Sequence, residues 1–429
     1  MFKNLARFIY AVLTYSLLPF YVFFWIAKGV INNSYWDRIN QRFGFGYPNL
    51  DEGTIWIHAV SVGEVQASVP LVEVLKVRHP DKEILITTVT PTGAQQIRKT
   101  FKNSVYHCYI PFETSFSIKA FFDAVKPSIA LILETEIWPN LYNECGVRKI
   151  PLILVSARIS VKSLKNYKRL LPLFRETLSH GILIAAQSSV DAKRFISLGA
   201  DKDKTWVMGN IKFDFNLPVD MDVKGINLRS KEFGDRPVWI AASTHEGEEV
   251  EILKAHREIL KTIRNMLLII VPRHPERFAK VEQLLKTEKW NYTTRSSTQS
   301  VADTCEVYLL DSMGELLLFY SASDVAFVGG SLVPVGGHNL LEPASLALPI
   351  LTGAYMFNQQ EMTDLLLEAG AVKIVKDKTG IIDNVLSFHH DKMASKSLGA
   401  KARMIVQENK GALGSLMRRL DDILVERIN

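Results

Sequence analysis

The stretch from Phe327 to Leu346, FVGGSLVPVGGHNLLEPASL, holds four glycines, an asparagine and a glutamate within reach of one loop. Glycine has no Cβ, so Gly329, Gly330, Gly336 and Gly337 would let backbone amides approach a ligand closely. The pattern predicts a buried strand over 324–328, the loop, then a helix opening at Asn339. Free N–H groups and the positive dipole end of that helix would suit an anion such as a phosphate. Asn339 and Glu342 also fit an N-cap with its partner three residues on, so Glu342 reads either as a cap or as a ligand group. Neither the Walker spacing nor the dinucleotide fingerprint is present. Ser61-x-x-Glu64 repeats the capping-box pattern after an earlier apolar run. Glu134 and Glu136, ending another such run, are paired carboxylates able to hold hydroxyls or take up a proton. Arg158, Lys162, Lys165, Lys168, Arg169 and Arg175 form the densest basic stretch, with Leu164, Leu170, Leu171 and Phe174 interleaved. Such a segment either rests on an anionic membrane and gathers phosphates, or is a solvated helix face.

Alternating strands and helices must position these groups. Thr54 to Val60 reads as a strand, followed by the loop SVGE and an amphipathic helix to Lys76. Further strands are expected over 83–88, 104–109, 129–134, 152–156 and 181–185. Residues 213–236, rich in Pro, Gly and charge, read as a linker. The rhythm then restarts: VWIAA, STHEGEE and VEILKAHREIL repeat the strand, loop and helix of WIHAVSVGEVQASVPLVEVL. Strands over 267–271, 307–309, 325–328 and 349–351 complete a second set. This alternation predicts an α/β fold of two doubly wound, Rossmann-like domains, over 29–212 and 237–405, facing each other across an interdomain cleft. Residues 406–429 read as a C-terminal helix. Between Arg7 and Lys28 lies an uncharged run long enough to span or nearly span a bilayer, with Tyr10, Tyr15, Tyr21 and Trp25 as interface anchors, so residues 1–28 read as a membrane anchor. Basic residues after it would keep the following domain cytoplasmic.

The 429 residues are 47% hydrophobic and 22% charged, the balance of a globular protein with a sizeable core. A net charge of +6 accommodates an anionic partner without naming nucleic acid, and no aromatic cluster on a basic strand argues for one. Three well-separated cysteines give no disulfide framework and no zinc spacing, and point to a reducing compartment.

In order along the chain stand HAVSVGE (58–64), LETEIWPN (133–140), SARIS (156–160), GNIKFD (209–214), ASTHEGEE (242–249), RHPERF (273–278), DSMGEL (311–316) and GGHNLLEPA (336–344). The ordered set resembles the bacterial 3-deoxy-D-manno-octulosonic acid (Kdo) transferases of lipopolysaccharide assembly, from the N-terminal run to about residue 360. The resemblance implies a GT-B fold, a CMP-Kdo donor, and a lipid A precursor as acceptor at the cytoplasmic face of the inner membrane. It implies that Glu64 is the catalytic base, where the residues alone favour a cap. It also implies that Glu342 accepts from ribose hydroxyls. Arg273, with its fork of donors, suits the departing phosphate, joined by the backbone of Gly336 and Gly337, by Asn339, and by Ser243 at the turn before the THEGEE helix. Met313 and Gly314 are expected to border the cytosine. Glu134, Glu136, Arg158, Lys162, Lys165, Lys168 and Arg169 are the acceptor-side candidates. No cofactor or metal is expected: Asp220-Met-Asp222 falls in the linker and reads as a solvated turn. A GT-B hydrolase or epimerase acting on a nucleotide sugar is the alternative enzyme reading.

Overall fold

A computed structural model describes residues 2–215, 217–297 and 299–425, so the first residue of the expected anchor and the last four of the expected C-terminal helix lie outside it. The chain up to Phe215, with its last stretch from Asn409, forms one compact unit, and the residues between form the other.

The first unit is built on a seven-stranded sheet in the order β3-β2-β1-β4-β5-β6-β7. Its strands are β1 (Thr54–His58), β2 (Ile84–Thr88), β3 (Tyr106–Tyr109), β4 (Pro127–Leu133), β5 (Leu152–Ala157), β6 (Leu183–Ala186) and β7 (Thr205–Val207). The second carries β8 (Val238–Thr244), β9 (Leu267–Pro272), β10 (Tyr292–Thr294), β11 (Val307–Leu309), β12 (Val325–Val328), β13 (Ile350–Thr352) and β14 (Val372–Ile374). Its order is β10-β11-β9-β8-β12-β13-β14. All pairings are parallel. Parallel strands need both faces covered, and their apolar runs supply this: β1, β2, β5, β8 and β9 are buried at every position. Trp56 and Trp239 sit fully buried at matching points of β1 and β8, as the repeated opening predicts.

The sequence reading misses β7, β10 and β14. Each has three residues, two or more of them partly or fully exposed, and all but β14 are exposed throughout to some degree, so none shows an apolar run. Two segments differ from expectation. The described residues of 213–236 are folded: the helix Met221–Leu228 packs against the helix Leu316–Ser321, Phe233 is buried in the core, and Arg229 pairs with Asp324 at 2.9 Å. Charge and glycine here reflect a surface helix in close contact, where Gly225 meets Ser321, instead of a linker. The last helix, Ala412–Val425, belongs to the first unit, and the Asp214 carboxylate accepts the amides of Gly411 (2.7 Å) and Leu413 (2.6 Å). The N-terminal run forms α1 (Phe2–Ile31), a continuous helix despite Pro19.

Candidate active site

In both units the strand order reverses between two central strands, β1 and β4 or β8 and β12, which is where doubly wound sheets place ligands. The chemically capable side chains lie at the carboxyl ends of these strands and of their neighbours β5, β9 and β11.

In the first unit, β1 leads into α2 (Val62–Arg78), capped by Ser61, whose hydroxyl oxygen accepts the Glu64 amide. The Glu64 carboxylate reaches back to accept from the Val60 amide at 2.8 Å and from the Ser61 hydroxyl at 3.0 Å. The cap is therefore formed with Glu64 as part of it, through the Val60 amide in place of that of Ser61. Glu64 nonetheless stays half-buried, and burial pushes its pKa up to about 7. The Val60 amide opposes this, and the charges of Glu134 and Glu136 add to it. Three carboxylates thus share one neighbourhood.

Glu134 ends β4 in the left-handed region, φ +57°. It accepts from Lys212 Nζ at 2.6 Å and lies 3.3 Å from Arg158 Nε. Burial pushes its pKa up, but the two cations outweigh burial and hold it below the ordinary carboxylate value. Glu136 accepts from the Trp138 indole at 2.7 Å, and burial raises it. Ser156, also at positive φ, accepts the Ile211 amide at 2.9 Å and so holds the Asn210–Lys212 stretch against β5. Arg158 joins the carboxylates. Lys162, Lys165, Lys168 and Arg169 instead form the exposed face of the helix Val161–Arg169, which has no buried residue.

In the second unit, loops after β11, β9, β8 and β12 lie side by side, because these strands are neighbours about 4.8 Å apart. They carry Met313 and Gly314, Arg273, and the glycine-rich segment after β11, β9 and β12, with Ser243 near the end of β8 itself. Ser243 is buried in β8 at φ +56°. Arg273 is half-buried, and among the described residues its guanidinium has no hydrogen-bond or ion-pair partner. Its charge acts on Glu342, His245 and His338. Met313 is 45% exposed in an open turn, with Gly314 at φ +92° and nothing near its Cα face.

The glycine-rich segment differs from expectation in three ways. The amides of Gly336 (3.1 Å) and Gly337 (2.8 Å) both donate to the Gly330 carbonyl, so they fold the loop on itself instead of facing a ligand. The amides of Gly330, Ser331 and Leu332 are taken by the Glu248 carboxylate at 2.7–2.9 Å. Lastly, the helix starts at Leu341 and runs only to Ser345, too short to aim a dipole. Leu340 holds the N-cap position without a side-chain cap, but Asn339 just before it accepts the Leu341 amide at 3.0 Å and donates to Glu342 at 3.2 Å. Glu342 is half-buried and raised by burial, with Asn339 and Arg273 opposing. Both readings of Glu342 therefore keep a physical basis. What remains facing outward is a side-chain site, Arg273, Asn339 and Glu342, in place of a backbone nest.

A family model described as 3-deoxy-D-manno-octulosonic-acid transferase (kdotransferase) matches residues 37–215. A 3-deoxy-D-manno-octulosonic acid transferase of Haemophilus influenzae is 40% identical over 427 residues, covering 98% of this chain and 100% of the relative. The chain belongs to the Kdo transferase family. Among solved structures, a UDP-GlcNAc 2-epimerase from Neisseria meningitidis has the same fold, with a TM-score of 0.55 and 15% identity over 87% of this chain and 100% of that one. A C-terminal CMP-Kdo binding domain of WaaA from Acinetobacter baumannii is 38% identical over 44% of this chain and 100% of that chain, with a TM-score of 0.43.

Within this Kdo transferase, sequence reasoning overlooked several groups beside the candidate residues, inside motifs it had quoted. Lys212 of GNIKFD neutralises Glu134. His245 of ASTHEGEE meets His338 of GGHNLLEPA edge to edge in nearly one plane, ring centroids 5.0 Å apart and Nε2 atoms at 2.8 Å. One ring must donate and the other accept, so at least one is neutral. Burial, with Arg273 and the other histidines beside it, pushes His338 down to about 3. Nothing in single-sequence spacing pairs residues 93 positions apart.

Proposed function

We propose that this glycosyltransferase moves Kdo from CMP-Kdo to a sugar hydroxyl of a lipid A precursor, with inversion, at the cytoplasmic face of the inner membrane. The observation that carries the reading is Glu64, a carboxylate fixed at the start of α2 and pushed up to about 7 by burial beside two further carboxylates. A base needs a pKa close to working pH to take a proton effectively. Glu64 takes the proton of the acceptor hydroxyl while that oxygen bonds to the anomeric carbon of Kdo. The bond from that carbon to the CMP phosphate oxygen breaks, and CMP leaves with the electron pair. Arg273, whose guanidinium forms no bond with the described residues, clamps the departing phosphate. Glu342 accepts from the ribose hydroxyls, Asn339 and Ser243 add neutral donors, and Met313 with Gly314 borders the cytosine. Glu134 and Glu136 face the acceptor sugar, and Arg158 holds Glu134 in place. Lys162, Lys165, Lys168 and Arg169 gather the acceptor phosphates and the headgroups around them.

Family membership supports the transferred sugar, and the fit of Arg273 and Glu342 to a phosphate and a ribose supports the donor. Incubation with CMP-Kdo and tetraacyl lipid A precursor, followed by mass spectrometry, tests the reading. The expected product is the precursor heavier by one or more Kdo residues. Release of Kdo without any gain in precursor mass would overturn the assigned acceptor.

A further inference from the structure

We propose that α1 lies flat along the membrane surface, its outer side embedded in one leaflet, and does not cross the bilayer. The proposal rests on the membrane reading above and fixes the geometry of that attachment. The helix is long and apolar enough to span, with mean hydropathy 1.7 over Arg7–Ile31. Its packing argues otherwise. Tyr10, Thr14, Leu18, Val22, Trp25 and Gly29, at steps of three and four residues, are buried or half-buried, whereas Phe8, Phe20, Phe23 and Val30 are 66–76% exposed. One stripe of the helix is therefore seated on the folded unit from Tyr10 to Gly29.

The contacts are specific from end to end. Tyr10 donates to the Glu113 carboxylate at 2.9 Å, and the same carboxylate accepts the amides of Asn140 and Leu141 at 2.9 Å. The Tyr15 hydroxyl accepts the Phe116 amide at 3.4 Å. Tyr21 packs on Phe112 at 5.8 Å between ring centroids. Trp25 covers the buried Arg42, whose guanidinium lies 3.6 Å from the ring centroid. From Tyr10 to Gly29 at 1.5 Å per residue is about 28 Å, close to the ~30 Å of bilayer hydrocarbon. An upright α1 would therefore carry its whole seat into the hydrocarbon, including Glu113, Arg42 and the helix Leu171–Leu178 that packs against it with Arg175 exposed. Ionisable groups at that depth are strongly disfavoured.

A flat helix has no such conflict. Its exposed aromatic and aliphatic side chains enter one leaflet, and the seat stays in water. The helix against which α1 packs continues the exposed basic segment Val161–Arg169. Lysine and arginine beside an apolar strip are what an anionic leaflet attracts.

The test uses the full chain bound to preformed phosphatidylethanolamine–phosphatidylglycerol vesicles. The native cysteines Cys108, Cys145 and Cys305 are buried, so an introduced thiol reports on its own. A membrane-impermeant maleimide should label Lys3→Cys and Ile31→Cys equally from outside. Fluorophores at Phe8→Cys, Phe20→Cys and Val30→Cys should be quenched to the same extent by lipids spin-labelled deep in the acyl chain. Protection of Lys3→Cys until the vesicles are lysed, with strongest quenching at position 20, would show a spanning helix and overturn the proposal while leaving membrane attachment intact. Failure of the full chain to float with vesicles would overturn attachment and proposal together.

Discussion

The carboxylate of Glu248 accepts the backbone amide of Gly330 at 2.7 Å, joining two motifs separated by 82 positions. The same side chain also takes the amides of His245, Ser331 and Leu332 at 2.9 Å and is fully buried. An anion-binding loop is thus already filled, by an anion that the protein supplies itself. Removing the acceptor leaves four amides without a partner, each costing about 1–3 kcal/mol if buried and unpaired. Glu248→Ala should lower the stability of the second unit by at least about 3 kcal/mol, read as an earlier urea midpoint. Glu248→Gln should fare poorly too, because its NH₂ group would face two amide donors.

Glu64→Gln keeps size and part of the cap but cannot accept a proton at neutral pH. Turnover should fall by roughly 10²–10⁴-fold, the usual worth of general-base assistance, with CMP binding retained. If the cap were the whole role of Glu64, the melting temperature would drop modestly and turnover would stay near normal. Both quantities are to be measured on one preparation.

The pH profile follows from the same group. With Glu64 as the proposed base, only its ionised form supports transfer, so kcat/KM should rise with pH and level off above about 7. Glu134 raises Glu64 through its negative charge. Glu134→Gln removes that charge and leaves Lys212 and Arg158 unneutralised, so the rising limb should move to lower pH. A limb that stays in place would separate Glu134 from the base electrostatically.

Arg273→Ala should weaken CMP binding by about 10–100-fold, the worth of hydrogen bonds to a charged group, with little change in melting temperature. The stability half follows because the guanidinium forms no internal hydrogen bond or ion pair with described residues. Glu342→Ala should likewise weaken CMP, beyond the ~1 kcal/mol of stability that a cap contributes. Calorimetry with CMP checks both, and unchanged affinity for Glu342→Ala would leave it only the capping role.

Gly337→Ala should disrupt the glycine-rich loop. Gly337 has φ +76°, and a Cβ there would meet the Met356 sulfur. The variant is expected to melt earlier and to lose CMP affinity, as followed by thermal unfolding with and without the nucleotide.

The sequence by itself determined the layered architecture and most of the strands, because buried parallel strands must be apolar throughout, and that shows in any single chain. It also singled out Glu64, Glu134, Arg273 and Glu342 as candidates, because they stand in the ordered motifs that resemble the Kdo transferases. Short edge strands such as Tyr292–Thr294 stayed hidden, as pairing by backbone alone leaves no apolar pattern. Only the tertiary structure decided which groups are spent internally. Gly336 and Gly337 turn their amides to Gly330, and Glu248 occupies the neighbouring ones, while the Arg273 guanidinium is left without a bond among the described residues. A glycine, an acid or an arginine has the same capacity to bond wherever it stands in the sequence. Whether that capacity is used up depends on which partner the fold brings within about 3 Å, and those partners lie tens of residues away.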